Sequence, residues 1–215
     1  SSAASDVYKR QVCTVVVMDS RTRLVEATQD LLWEQGYSAT SPKDIMRRSG
    51  AGQGSMYHHF TNKQELAVEA LERSALSMRH DAEKLLAADG SAYEIATAYL
   101  RRQRDVLKGC RMGRMTFDAD VLNTPELIEP VTRTFVWLIE ALTVLFERGR
   151  DHGEFAADID ARNLASLVVA TVQGGYVLAR ATRDVDAFDA AVEGAAALLR
   201  KATEPLITEV SDHSD

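Results

Sequence analysis

The residues best suited to chemistry lie between Gly52 and Lys63, where the chain reads Gly-Gln-Gly-Ser-Met-Tyr-His-His-Phe-Thr-Asn-Lys. The Gln53 amide can pair with an adenine edge, Ser55 can serve several bases, and Gly54 between them allows close approach. A tyrosine hydroxyl and lysine ammonium groups suit phosphate oxygens. Ser41, Lys43, Gln53, Gly54, Ser55, Tyr57, His58 and Lys63 are therefore the candidate contacts to nucleic acid, while His59 and Phe60 are expected to pack inward. Metal chemistry finds no support. His58 and His59 are neighbours on different sides of a helix rather than an i, i+4 pair, and His80, His152 and His213 stand alone. No nucleophile elbow, phosphate loop or carboxylate pair occurs in a recognisable setting, so neither an enzyme nor a cofactor is expected.

These residues need a frame, and the flanking sequence supplies one. Ser41 is a natural N-cap, Pro42 fits the first helical position, and Asp44 sits where a capping box would close. Ile45 and Met46 give this helix a buried side. Ser49-Gly50-Ala51-Gly52 ends it, since glycine accepts the left-handed conformation. A second helix of barely two turns follows over about Gln53–Phe60, and Thr61 or Asn62 caps a third. Two short helices around a glycine turn outline a helix-turn-helix, whose second helix enters the major groove. Ser20 to Gly36, with Leu24, Ala27, Thr28, Leu31 and Leu32 spaced three and four apart, reads as the helix that braces the pair.

Over about fifty residues, Arg21 to Leu71, the chain resembles the tetracycline-repressor (TetR/AcrR) family of regulators. The resemblance rests on Asp44-Ile45, Gly50, Gly54-Ser55-Met56-Tyr57-His58-His59-Phe60, and Lys63 with Glu65-Leu66. Where the family usually has Val-Ser after the turn glycine, this chain has Ala51-Gly52, which removes a small core contact and a capping hydroxyl. The resemblance implies DNA contacts from the cap residue, the polar recognition-helix positions, the tyrosine and the lysine. It also implies pairing of the last long helices in a dimer.

Composition agrees with a helical regulator. The 215 residues are 46% hydrophobic and 27% charged with only four prolines, and Ala, Leu, Glu and Arg abound. A net charge of −7 excludes indiscriminate coating of nucleic acid, so the basic signal must be local. Between Tyr37 and Lys63 four cations, Lys43, Arg47, Arg48 and Lys63, face the single carboxylate of Asp44. The two cysteines, Cys13 and Cys110, lack metal or redox spacing and suggest a reduced compartment, with Cys110 read as a small buried hydrophobe. No apolar run is expected to span a membrane, and the cytoplasm is the expected location.

Residues 1–18 read as an N-terminal arm or a vector-derived remnant, residues 19–65 as the DNA-binding head, and residues 66–215 as a helical ligand-binding and dimerisation domain. A helix of some twenty-five residues from Lys63, about 38 Å long, joins head to body as a rigid rod. Further helices are expected from Ser91 to about Lys108, from Pro130 to about Gly149, from Asp158 or Asp160 to about Arg180, and from Asp186 toward Ser211. The fold class is thus all-α, a three-helix head on a helical bundle, with about nine or ten helices.

Around the irregular stretch Gly109–Thr124, Tyr99, Met112, Met115, Phe117, Trp137, Phe146, Gln173 and Tyr176 form an apolar, polarisable set expected to line a ligand cavity. Plain bundle core is the competing reading for any one of them. Arg101, Arg102, Arg104, Lys108, Arg111 and Arg114 crowd one stretch and read as a solvated face, with attraction of an anionic effector as the alternative. Gly174, Leu178, Phe188, Ala191, Val192, Ala195 and Leu198 carry small and apolar side chains at helical spacing and are the expected homodimer face. The expected whole is a ligand-responsive regulator, a repressor that grips a palindromic double-stranded operator as a homodimer and is released by a small-molecule effector. Two alternatives stand beside it: an activator without an effector, and a small-molecule-binding protein whose head is vestigial.

Overall fold

Asp19 opens the described chain by accepting a hydrogen bond from the Thr22 amide at 2.8 Å, which caps α1 (Ser20–Gln35). The computed structural model describes residues 19–203. The expectations for the N-terminal arm, Cys13, His213 and the end of the last helix fall outside these residues. The Ser41/Asp44 capping box forms and starts α2 (Pro42–Ser49), which Gly50 ends in the left-handed conformation at φ 67°. Next come α3 (Gln53–His59) and the rod, α4 (Lys63–Leu86), capped by Asn62. At 24 residues, α4 is about 36 Å long.

The body departs from expectation in two places. Helix α5 (Ala92–Arg101) stops well short of Lys108. The Arg104 guanidinium takes the carbonyls of Tyr99, Leu100 and Arg102 at 2.6–2.8 Å, and so replaces amides that a continuing helix would have supplied. After the short helices α6 (Arg111–Met115) and α7 (Ala119–Asn123), α8 (Pro125–Asp151) begins five residues before the expected Pro130. Pro125 occupies the first-turn position that Pro130 was expected to fill, and Pro130 forfeits only its own bond one turn in. Helices α9 (Ala161–Thr182), capped by Asp160, and α10 (Asp186–Ala202) complete an all-α fold of ten helices among the described residues.

Two apolar cores are continuous through this arrangement. One gathers α5, the second half of α8, α9 and α10 around Leu142, Phe146, Val168 and Leu199. The other joins α1–α3 to the first half of α4, and it also takes in Met112, Met115, Val121, Leu127 and Val131 from α6–α8. A domain boundary after residue 65 therefore follows the sequence but cuts through one core. Gly175 lets α10 close onto α9, because a Cβ there would lie 2.8 Å from the Phe188 ring. By length and mean hydropathy alone α9 is long and apolar enough to cross a membrane, but in the fold it packs against α8 and α10 as a bundle helix.

Candidate functional site

Helix α3 is anchored through Met56 and the following Phe60, both essentially buried, with Ala51 buried in the turn before them. That anchoring turns Gln53, Gly54, Tyr57 and His58 outward, with Ser55 half-buried and Tyr57 half-exposed. Gly54 sits inside a helix with ordinary φ, and a Cβ there would meet nothing within 4 Å. Neither the backbone nor the packing of this chain calls for glycine at that position. His59 is held as expected: its Nε2 lies 2.8 Å from Ser20 Oγ, on α1. Lys43 projects from the exposed side of α2.

Two candidate contacts have internal partners. The Ser41 hydroxyl lies 2.5 Å from Asp44 Oδ2 and accepts from the Asp44 amide at 3.2 Å, so its hydrogen-bonding capacity is mostly used in the cap. Lys63, expected to reach a phosphate, is turned inward. Its Nζ donates to the carbonyls of Tyr37 and Thr40, both at 3.1 Å, and lies 3.8 Å from the centre of the Tyr37 ring. Partial burial lowers its pKa. This inward turn has a simple cause: at the start of α4 the side chain falls back along the helix into the α1–α2 turn, whose carbonyls have no helical partner.

The apolar candidates divide into several places. A cavity of about 400 Å³ opens between α4, α5, α8 and α9, and Tyr99, Gln173 and Tyr176 are on its wall. Phe117 borders an adjoining cavity of about 280 Å³, which shares Gly109, Cys110, Gln173 and Tyr176 with the first. The other four candidates are elsewhere. Met112 and Met115 are fully buried in the head-side core, and Phe146 packs edge-on against Phe155 with ring centres 5.6 Å apart. Trp137 lines a separate shallow groove under the Arg79 guanidinium, 4.8 Å from its ring. Residue type could not separate these, because a buried methionine and a cavity methionine look alike in sequence.

The arginine cluster behaves in two ways. Arg101 is solvated as expected and pairs with Glu193 on α10 at 2.5 Å. Arg102 and Arg104 instead line the first cavity and Arg114 the second, each half-buried. Burial lowers the pKa of Arg104 and Arg114, and the neighbouring Arg180 charge lowers Arg114 further. Tyr176 is pushed up to about 12 by burial. Phe135, Leu138 and Val172 complete the apolar wall. Their core-like spacing hid them, and Arg102 and Arg104 were hidden because they follow a helix end that the sequence did not reveal.

Gln173 is fixed by a tight approach to α6: a Cβ on Gly113 would stand 2.3 Å from its Oε1. Cys110, free and half-buried, caps α6 by accepting from the Gly113 amide at 3.3 Å, and burial raises its thiol pKa. Of the expected dimer face, Gly174, Leu178 and Leu198 are exposed, and Ala191 is half-buried. Phe188, Val192 and Ala195 are buried within the chain, Phe188 against Tyr176 with ring centres 5.0 Å apart, so these three are not available to a second copy. The exposed apolar stripe is completed by Leu167 and Val177.

Comparison with known proteins accounts for both halves of the chain. Residues 24–70 match the family described as bacterial regulatory proteins, tetR family, and residues 90–195 match the tetracyclin repressor-like C-terminal domain. An uncharacterised helix-turn-helix regulator of Mycobacterium tuberculosis, Rv0196, is 29% identical over 182 residues, covering 79% of this chain and 88% of its own. The crystal structure of a TetR regulator from Chloroflexus aurantiacus superposes with a TM-score of 0.77 at 28% identity, covering 84% of this chain and 93% of that one. A cysteine mutant of the TetR-family regulator CifR, complexed with 26-bp double-stranded operator DNA, shares the fold at a TM-score of 0.70 and 21% identity, over 82% of this chain and 94% of its own. With both of its matched segments, its ten-helix fold and its helix-turn-helix in agreement, the chain belongs to the TetR family of transcriptional regulators.

Proposed function

We propose that the protein acts as a homodimeric repressor that reads a palindromic operator through α3 and leaves it when a small molecule fills the cavity beside Tyr176. The observation that carries this reading is the outward face of α3. Gln53, Gly54, Tyr57 and His58 stand in solvent while Met56 and Phe60 hold the helix from behind. A polar face with no use inside its own fold suits the edges of a duplex groove, and CifR, of the same fold, binds operator DNA. Within that face Gln53 and Ser55 read bases, while Tyr57, His58 and Lys43 hold phosphates.

A single short helix binds weakly and with little selectivity, so the protein needs its twin. Leu167, Gly174, Val177 and Leu178 on α9, with Gly194 and Leu198 on α10, present an exposed stripe of apolar and small residues suited to a four-helix contact. Two heads then meet half-sites separated by one helical turn, roughly 34–36 Å. An effector can shift this equilibrium only by its difference in affinity for the two states, about 5.5 kcal/mol for a full reversal.

Selection of binding sites from genomic fragments, followed by fluorescence anisotropy at stated salt, tests the reading. The expected result is tight, salt-sensitive binding to an inverted repeat by a species of twice the chain mass. Binding without sequence preference would overturn it in favour of a small-molecule-binding protein with a vestigial head.

A further inference from the structure

The cavities around Tyr176 carry positive charge that the fold leaves uncompensated. Among the described residues Arg102, Arg114 and Arg180 have no ion pair or hydrogen bond from their side chains. Arg104 spends both terminal nitrogens on backbone carbonyls at the end of α5 and has no carboxylate. In addition, the Nε atoms of Arg102, Arg104 and Arg114 are buried without any acceptor. A buried donor with no partner is costly, and a guanidinium withdrawn from water without an anion costs more. The carboxylates near the first cavity do not offset this. Asp105 is exposed and 3.5 Å from Lys108, Asp81 is exposed on the rim, and Asp30 engages Arg111 at 3.3 Å. No carboxylate lines the second cavity, where Arg114 from α6 and Arg180 from α9 both stand, and Asp118 acts on Arg114 only from outside the lining.

Beside the polar Gln103 and Gln173, the lining offers apolar and aromatic side chains: Tyr99, Phe135, Leu138 and Val172 in the first cavity, Phe117 and Val177 in the second, with Gln173 and Tyr176 common to both. The Arg102 and Arg104 guanidinium carbons lie 4.9 and 5.4 Å from the Tyr99 ring centre, contacts that supply no acceptor for the unpartnered Nε donors. Guanidinium donors above an apolar floor match a carboxylate carried on a hydrocarbon or aromatic body. We propose that the effector is a small organic anion, whose carboxylate binds Arg102 with Arg104, or Arg114 with Arg180, and whose apolar body lies against Tyr176. This rests on the effector role proposed for the cavity and adds the chemical class of the ligand.

Three probe pairs of equal shape test it on the full chain: benzoate with benzamide, 1-naphthoate with 1-naphthamide, and octanoate with octanamide. Titration calorimetry reads binding, and anisotropy with the selected operator is read on the same samples before any probe is added. At least one acid is expected to bind about tenfold or more tighter than its amide, the worth of a charged hydrogen bond. Arg102→Gln or Arg114→Gln should abolish that preference, and Arg101→Gln, on the outer surface, should keep it. Neither cavity variant removes a hydrogen bond of the fold, so neither should melt below the parent. Amides that bind as well as acids, no acid bound, or a preference that survives in both cavity variants would each overturn the anion assignment. Should that happen while operator binding stays selective, the regulatory reading stands; loss of selectivity before any probe is added would refute that reading separately.

Discussion

Replacing Gly54 by alanine separates what the fold needs from what the DNA needs. Glycine inside a helix is less stable than alanine by about 0.5–1 kcal/mol, and the lower figure suits the first turn of a seven-residue helix. Because a Cβ at Gly54 meets nothing within 4 Å, no clash offsets the gain. Gly54→Ala should therefore raise Tm by about 1–2 °C, at roughly 2–4 °C per kcal/mol for a chain of this size. The same methyl would stand between Gln53 and Ser55 on the face proposed to enter the groove. Losing one good base contact costs about 1–3 kcal/mol, so operator affinity should fall about tenfold to a hundredfold. Anisotropy with a labelled operator at fixed salt, beside a melting curve, measures both. A variant that melts no lower and binds within twofold of the parent would show that α3 does not approach bases through Gly54.

Other perturbations probe other parts. Lys63→Met should cost about 2 kcal/mol, by removing two charged hydrogen bonds to the α1–α2 turn, and lower Tm by about 4–8 °C. The salt slope of operator binding should not change; a slope reduced by about one would restore Lys63 to the phosphate contacts. Leu178→Arg, which puts a charge on the exposed α9 stripe, should yield monomers by analytical ultracentrifugation with helix content unchanged, and a persistent dimer would move the interface elsewhere. Acid should destabilise the head. Burial alone would raise the Asp118 pKa, but the Ser38 hydroxyl and amide outweigh it, and Ser41 holds Asp44 low. Folded values below the unfolded ones, near 4, give stability that is full above about pH 5 and lost as pH falls through the folded values. Tm should be level from pH 7 to about 5 and then decline, less steeply in Ser38→Ala.

The head was legible because its signals are local. Ser41-Pro42 with Asp44, Gly50, and the split of Met56 and Phe60 from Gln53 and Tyr57 each act within one or two turns. The body was legible only as helices. Where α5 ends depends on Arg104 reaching back to three carbonyls, a choice between solvent and backbone that periodicity does not encode. The expected dimer face meets a related limit. Small residues at helical spacing serve a neighbouring helix of the same chain as well as one from a partner, and Phe188, Val192 and Ala195 went to the former. Lys63 shows the limit of reading charge as surface, since a long side chain can turn toward its own backbone carbonyls.

Under the proposed regulation a filled cavity must act on α3, and α4 is not the only connection between them. Residues 109–120 form a cavity wall on one side and grip the head on the other. Trp33 on α1 donates to the Gly109 carbonyl at 3.0 Å, with Arg111 stacked 4.1 Å over its ring and tied to Asp30. Beyond α6, the Ser38 amide donates to Asp118 at 2.8 Å, and the Ser38 hydroxyl lies 2.5 Å from Asp118 and 2.8 Å from Asp120. Gly113 offers a way to push on this segment without an effector. An added Cβ would stand 2.3 Å from Gln173 Oε1, inside any allowed contact, so α6 or Gln173 must shift. If that shift passes through Asp118 to the α1–α2 turn, Gly113→Ala should weaken operator binding, and Ser38→Ala, by cutting the link, should blunt the effect. A double-mutant cycle on operator affinity would then show a coupling of at least about 0.5 kcal/mol, the size expected of residues in one network. Additivity within about 0.3 kcal/mol would mean that the two sites do not communicate through Asp118 and Ser38, which would leave the α4 rod and the apolar core shared by α1–α4 with α6–α8 to carry any coupling.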